Sequence, residues 1–173
     1  MSLSGPFHIV SYGALLGTEL YQTFVGGIVA FRVLPRPQFS ALQNKIFPIY
    51  FGLQSALPVA LALTFPGRLG SPGSLSGVLL EENRFTVLLP ISLTLVSGLT
   101  NLLYLTPLVR ETMKQRSHQE SIDGKKSYDP PPHSKEMVQL NKKFGKLHGI
   151  STLVNLMGVI ATVVYGIVLG SRL

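Results

Sequence analysis

Residues 7–31 read FHIVSYGALLGTELYQTFVGGIVAF, with a single charge, Glu19, at the midpoint. About 20 predominantly apolar residues are enough to cross a bilayer core as a helix, so this stretch is a membrane-span candidate. A carboxylate at that depth is costly unless it is protonated or paired, and it marks a functional site by default. At helical spacing His8, Tyr12, Leu15, Glu19, Thr23, Gly26 and Ala30 share one face. Gly13 and Gly17 form a small-xxx-small pair that lets another helix approach closely, and Gly26 is a further packing position.

Three more apolar stretches follow, at about 46–65, 85–105 and 148–169. They predict an all-α, integral-membrane four-helix bundle forming one domain over 1–173. The composition agrees: 46% hydrophobic against 13% charged in 173 residues. No cysteine is present, so disulfides, thiolate metal sites and cysteine nucleophiles are excluded. The first apolar run has no basic stretch before it and no obvious cleavage site, and reads as a retained span.

The connections differ in chemistry. Residues 32–45 contain LPRPQF, which predicts extended or turning backbone. Pro48 fits a helix start, and Pro58 predicts a kink inside span two. Residues 66–84 are rich in Gly, Ser and Pro, with a short lead-in to span three at Gly77–Glu82. Residues 115–133 are polar, contain three consecutive prolines, and predict a flexible cytosolic loop. From the N-cap candidate Ser134 onward, Met137, Leu140, Phe144 and Leu147 line one face, which predicts an amphipathic helix lying at the membrane surface before span four.

The first and third connections hold 12 of the 15 Lys and Arg residues. Positive residues stay cytoplasmic, so both termini are expected to be lumenal or extracellular. Arg32, Arg36, Lys45, Lys142, Lys143 and Lys146 flank the spans and suit the head groups of anionic lipid on the cytosolic side. The formal charge of +7 is thus assigned to topology and lipid, with no nucleic-acid partner expected.

With that orientation, Thr23, Gln54, Ser97, Asn101, Ser151 and Asn155 collect in the cytosolic half of the bundle with Glu19 beneath them. They are read either as interhelical hydrogen-bonding groups or as the lining of a small cytosol-facing cavity with Glu19 as a proton or cation site. His148 shares a face with Ser151 and Asn155. It starts span four at the opposite end from His8, so the two imidazoles are not expected to share a metal. No hydrolase or metalloprotease motif is present and no second intramembrane carboxylate pairs with Glu19. No enzyme activity, metal or cofactor is expected. A membrane-protein partner or a second copy of this chain is.

Several segments carry a resemblance. They are Thr23–Gly27 (TFVGG), Phe31-Arg32, Leu34-Pro35-Arg36, Phe39, Gln43, Lys45, Phe47-Pro48 and Tyr50-Phe51, then Asn101, Pro107 and LHGISTLVNL at 147–156. In these the chain resembles the transmembrane protein 205-like family, also grouped under a domain of unknown function. The resemblance implies a four-span helical protein of the endomembrane system or plasma membrane without enzyme activity. It points to His8, Thr23, Asn101, His148, Ser151 and Asn155 as positions of interest. It also implies that a neutral Gln can stand at the place of Glu19, which favours hydrogen bonding over charge there. The function expected is a structural or trafficking component of membranes. The alternative is a small-solute, ion or proton carrier.

Overall fold

The computed structural model describes residues 4–65 and 75–172. The helices are α1 (Ser4–Val33), α2 (Arg36–Thr64), the single turn α3 (Leu75–Val78), α4 (Glu81–Asp123) and α5 (Lys135–Gly170). The four long ones are long and apolar enough to cross a membrane. In the bundle α2 packs on both α1 and α4, and α5 packs on α4 and, more narrowly, on α1. Part of the Gly/Ser-rich second connection, 66–74, lies outside the described residues. Its expected lead-in is present as α3 and a 3-10 turn at Glu81–Asn83, tied together by the Asn83 amide donating to the Gly77 carbonyl.

The first connection is far shorter than 32–45. Only Leu34 and Pro35 are extended, and α2 begins at Arg36. Proline explains both halves of this correction. Leu34 precedes Pro35 and is steered out of the helical region. Pro37 sits at the second helical position, where its missing N–H is not needed.

Pro48 does not start the helix but lies inside it, as Pro58 does. Each lacks the N–H that would bond the carbonyl four residues earlier. For Pro48 that carbonyl is Asn44, and the Arg110 guanidinium from α4 donates to it. For Pro58 it is Gln54. Gly98 of α4 lies against it so closely that a Cβ there would stand 3.0 Å from the oxygen.

Prolines also mark the wide turns of α4. π-helical turns at Arg84–Leu88 and Thr100–Leu105 end two residues before Pro90 and Pro107. Widening a turn relieves the clash of the proline ring with the preceding carbonyl. A third π turn, Tyr21–Gly26, interrupts α1 and swings the face beyond Glu19, so Gln22 is buried while Thr23 is half-buried.

The third connection differs most from expectation. Gln115–Asp123 continues α4 as helix, and 135–147 continues α5 without a break, so no separate surface-lying helix precedes span four. The amphipathic face is covered by protein: Met137 is fully buried, and Phe144 lies beneath the Arg116 guanidinium at 4.4 Å. The hairpin closes with Gly124 in the left-handed region (φ 62°), a conformation glycine adopts without penalty. Glu120 accepts from the amide and hydroxyl of Ser127 and pairs with Lys126 at 3.3 Å. Ser134 caps α5 by accepting from the Met137 amide, and its hydroxyl donates to Asp123.

At the opposite end, where α1 begins and α5 ends, the core is apolar. Leu15, Leu61, Phe65, Val87, Ile91 and Tyr165 form one cluster. Tyr12 lies across Gly166, so closely that a Cβ there would displace the tyrosine hydroxyl.

Candidate functional site

Between these two ends lies a polar cluster made by α1, α2 and α5. The Gln54 amide donates to Glu19 Oε1 at 2.8 Å and to Asn155 Oδ1 at 3.3 Å. The Tyr50 hydroxyl donates to the same Asn155 oxygen at 2.7 Å. The Asn155 amide donates to Thr23 Oγ1 at 3.1 Å. Glu19 is 0% exposed and Gln54 1%, so the bond between these two is sealed from solvent, while Thr23 at the edge of the cluster is half-buried.

Local sequence explains how the groups meet. Gly158, one turn beyond Asn155, leaves room for Gln54 and Ser97; a Cβ there would stand 2.9 Å from Gln54 Nε2 and 3.0 Å from Ser97 Cβ. Gly98 admits the Gln54 backbone from the α4 side. Two glycines on two helices therefore bring α4 and α5 onto the one glutamine that holds Glu19.

Neighbouring polar pairs extend the cluster along the axis. Towards the basic end, Ser151 donates to Asn101 Oδ1 at 2.6 Å, and the Gln22 amide donates to Gln43 at 3.2 Å. On the other side, the Thr94 hydroxyl meets Thr162 at 3.1 Å and the Gly158 carbonyl at 3.2 Å. Nearer the termini, His8 bridges Thr64 at 2.9 Å and the Tyr165 hydroxyl at 2.6 Å. The cavity bounded by Leu15, Pro58, Ile91 and Thr162 has no room for a water molecule.

Glu19, Thr23, Gln54 and Asn155 are thus joined directly, and Asn101 and Ser151 form a pair. Ser97 is fully buried with no partner for its hydroxyl among the described residues. His148 lies apart, exposed and stacked on Phe144. Gly13 and Gly17 face open space, whereas Gly26 is in contact with Tyr21 and Gln22 of its own helix. Arg32, Arg36, Lys45, Lys142, Lys143 and Lys146 are all exposed, with Arg36 resting 4.1 Å over the Phe31 ring. Tyr50 and the Gln22–Gln43 pair are additions to the sequence reading. Tyr50 passes for an ordinary aromatic in an apolar run. Gln22 is moved inward by the π turn.

Fold and cluster together define a helical protein with four helices of membrane-spanning dimensions and a hydrogen-bonded polar interior. The chain belongs to the family described as domain of unknown function (DUF4149), matched over residues 10–118. That match takes in Glu19, Thr23, Gln54 and Asn101 and stops before Ser151 and Asn155. The chain is also 34% identical over 168 residues to xanthocillin biosynthesis cluster protein D of Aspergillus fumigatus, covering 97% of this chain and 90% of that relative. No solved structure matches it.

Proposed function

We propose that the protein is a non-enzymatic, multi-pass structural or trafficking component of a membrane, of the kind formed by transmembrane protein 205-like proteins. The observation that carries this is the closed Glu19–Gln54–Asn155 arrangement. Gln54 ties Glu19 of α1 to Asn155 of α5 through its amide, and the neighbouring cavity bounded by Leu15, Pro58, Ile91 and Thr162 has no room for a water molecule. In this reading the basic end is cytosolic, the termini are lumenal or extracellular, and the exposed collar of Arg32, Arg36, Lys45, Lys142, Lys143 and Lys146 rests on anionic lipid. The membrane is the plasma membrane or one of the endomembrane system, and the partner is a membrane protein or a second copy.

A carrier of small solutes, ions or protons is the second reading. It is favoured by the Ser97 hydroxyl and Asn101 amide, which have no partner among the described residues and lie on successive turns of α4 near the cluster. Reconstitution separates the two. The structural reading predicts no flux of protons, alkali cations or small organic solutes into liposomes, together with a stoichiometric partner on pull-down. Flux that disappears in Glu19→Gln would replace it with the carrier.

A further inference from the structure

Glu19 is the one buried member of the eight acidic residues. Two buried atoms in its immediate surroundings have no hydrogen-bond partner among the described residues: its own Oε2, and Oε1 of Gln54. They belong to the two side chains already joined by the Gln54 Nε2 to Glu19 Oε1 bond. An ionised carboxylate and an amide carbonyl are both acceptors and cannot satisfy each other. A carboxylic acid has one O–H to give. Among the described residues no cation offsets a charge here: Gln54 faces Glu19 from α2, and Thr162 from α5 with Thr94 of α4 behind it. The titratable neighbours, Tyr12 on its own helix and Tyr50 on α2, carry no positive charge.

We propose that Glu19 is a bound-proton site, a neutral acid whose Oε2–H is donated to Gln54 Oε1 in a cyclic acid–amide pair between α1 and α2. The proton comes from water and stays on the carboxyl, so one N–H···O and one O–H···O bond run side by side. Closing the ring takes a rotation of the Gln54 amide about its terminal bond, a torsion with a broad profile. The ring uses one N–H of the Gln54 amide and leaves the other for the 3.3 Å contact to Asn155. The pair gives all four polar atoms of the two side chains a partner. An unpaired donor or acceptor in an apolar interior is costly, and this pairing removes two. The inference deepens the structural reading of the same cluster and rests on it.

Infrared difference spectroscopy of the full chain in lipid, wild type minus Glu19→Gln in neutral buffer, tests it. The seven other acidic side chains are at least partly exposed and are common to both proteins, so they cancel in the difference. The expected result is a single protonated-carboxyl stretch present only in wild type. It moves to higher wavenumber in Gln54→Leu and stays in place in Thr162→Val. Ionised-carboxylate bands in place of that stretch overturn the proposal, as does a stretch that follows Thr162 and ignores Gln54. The wild-type spectrum decides the proton even where Gln54→Leu fails to fold. A protonated band accompanied by liposome flux overturns the structural reading and leaves the proton site standing. No band and no flux overturns the site alone.

Discussion

Two acidic residues in this chain have opposite surroundings. Glu19 lies sealed in the bundle with an amide bonded to one oxygen. Glu120, at the hairpin tip, accepts from the backbone and hydroxyl of Ser127 and pairs with Lys126 beside water. Burial alone raises the Glu120 acid, but those bonds outweigh it and hold the carboxyl below its usual range. Asp123, bonded by Ser134 and Gln119, is held down as well. At the tip charge can be retained because donors and solvent are at hand. In the bundle the same group must join a neutral network. The comparison teaches that in this protein it is the donor supply around a carboxylate that decides its role.

The largest expected effect comes from emptying the network. Gln54→Leu leaves Glu19 Oε1 without its donor and removes one of the two donors to Asn155 Oδ1. An unsatisfied buried acceptor costs roughly 1–3 kcal/mol, less where the lipid-embedded reference state finds partners. Thermal unfolding in a single detergent reads this loss; an unchanged midpoint breaks the claim that the network supports the bundle.

Next in size is Gly98→Ala. Its Cβ would stand 2.9 Å from the Gln54 backbone carbon. Overpacking of this kind costs about 1–3 kcal/mol. Gly13→Ala and Gly17→Ala, which meet nothing within 4 Å, are expected to leave unfolding of the monomer unharmed. Equal losses at all three glycines would contradict the packing described here.

How much of this was legible in the sequence follows from the same contrast. A lone carboxylate in an apolar run, the glutamine and asparagines at matching depth, and the four spans all show as polarity against a uniform background. Three things do not show. The π turn at Tyr21–Gly26 changes which side of α1 faces inward. The hairpin at 115–134 looks like linker because its apolar content is low, yet it is held by capping bonds: Glu120 to Ser127, Asp123 to Ser134. The helix ends at the basic end do not show either, because a hydropathy pattern records where side chains become polar, while α2, α4 and α5 run on as helices beyond that point.

Smaller effects sharpen the hairpin side. Ser134→Ala removes the cap of α5 and one partner of Asp123, a loss of about 0.5–2 kcal/mol confined to the hairpin. Hydrogen exchange should rise around 120–140 and remain unchanged at 50–60. The pH dependence has a definite sign. Carboxyls held below their ordinary values of 4.5 for Glu120 and 3.8 for Asp123 contribute stability that is complete above those values. It is lost as the pH falls below them. Protease resistance of the tip should therefore fall in acid before the bundle melts. His148→Ala, at an exposed stacked ring, should stay within about 0.5 kcal/mol of wild type.

The central claim is that Glu19 supports the fold by hydrogen bonding, not by charge. Thermal unfolding of Glu19→Leu and Glu19→Gln beside wild type, in the same detergent, tests it most directly. The account predicts a clear loss in Glu19→Leu, because the Gln54 amide loses its acceptor, and near wild-type stability in Glu19→Gln, which keeps both a donor and an acceptor. Unchanged or raised stability in Glu19→Leu would contradict it and would mean that the carboxyl is kept at a cost to folding, as a functional group is.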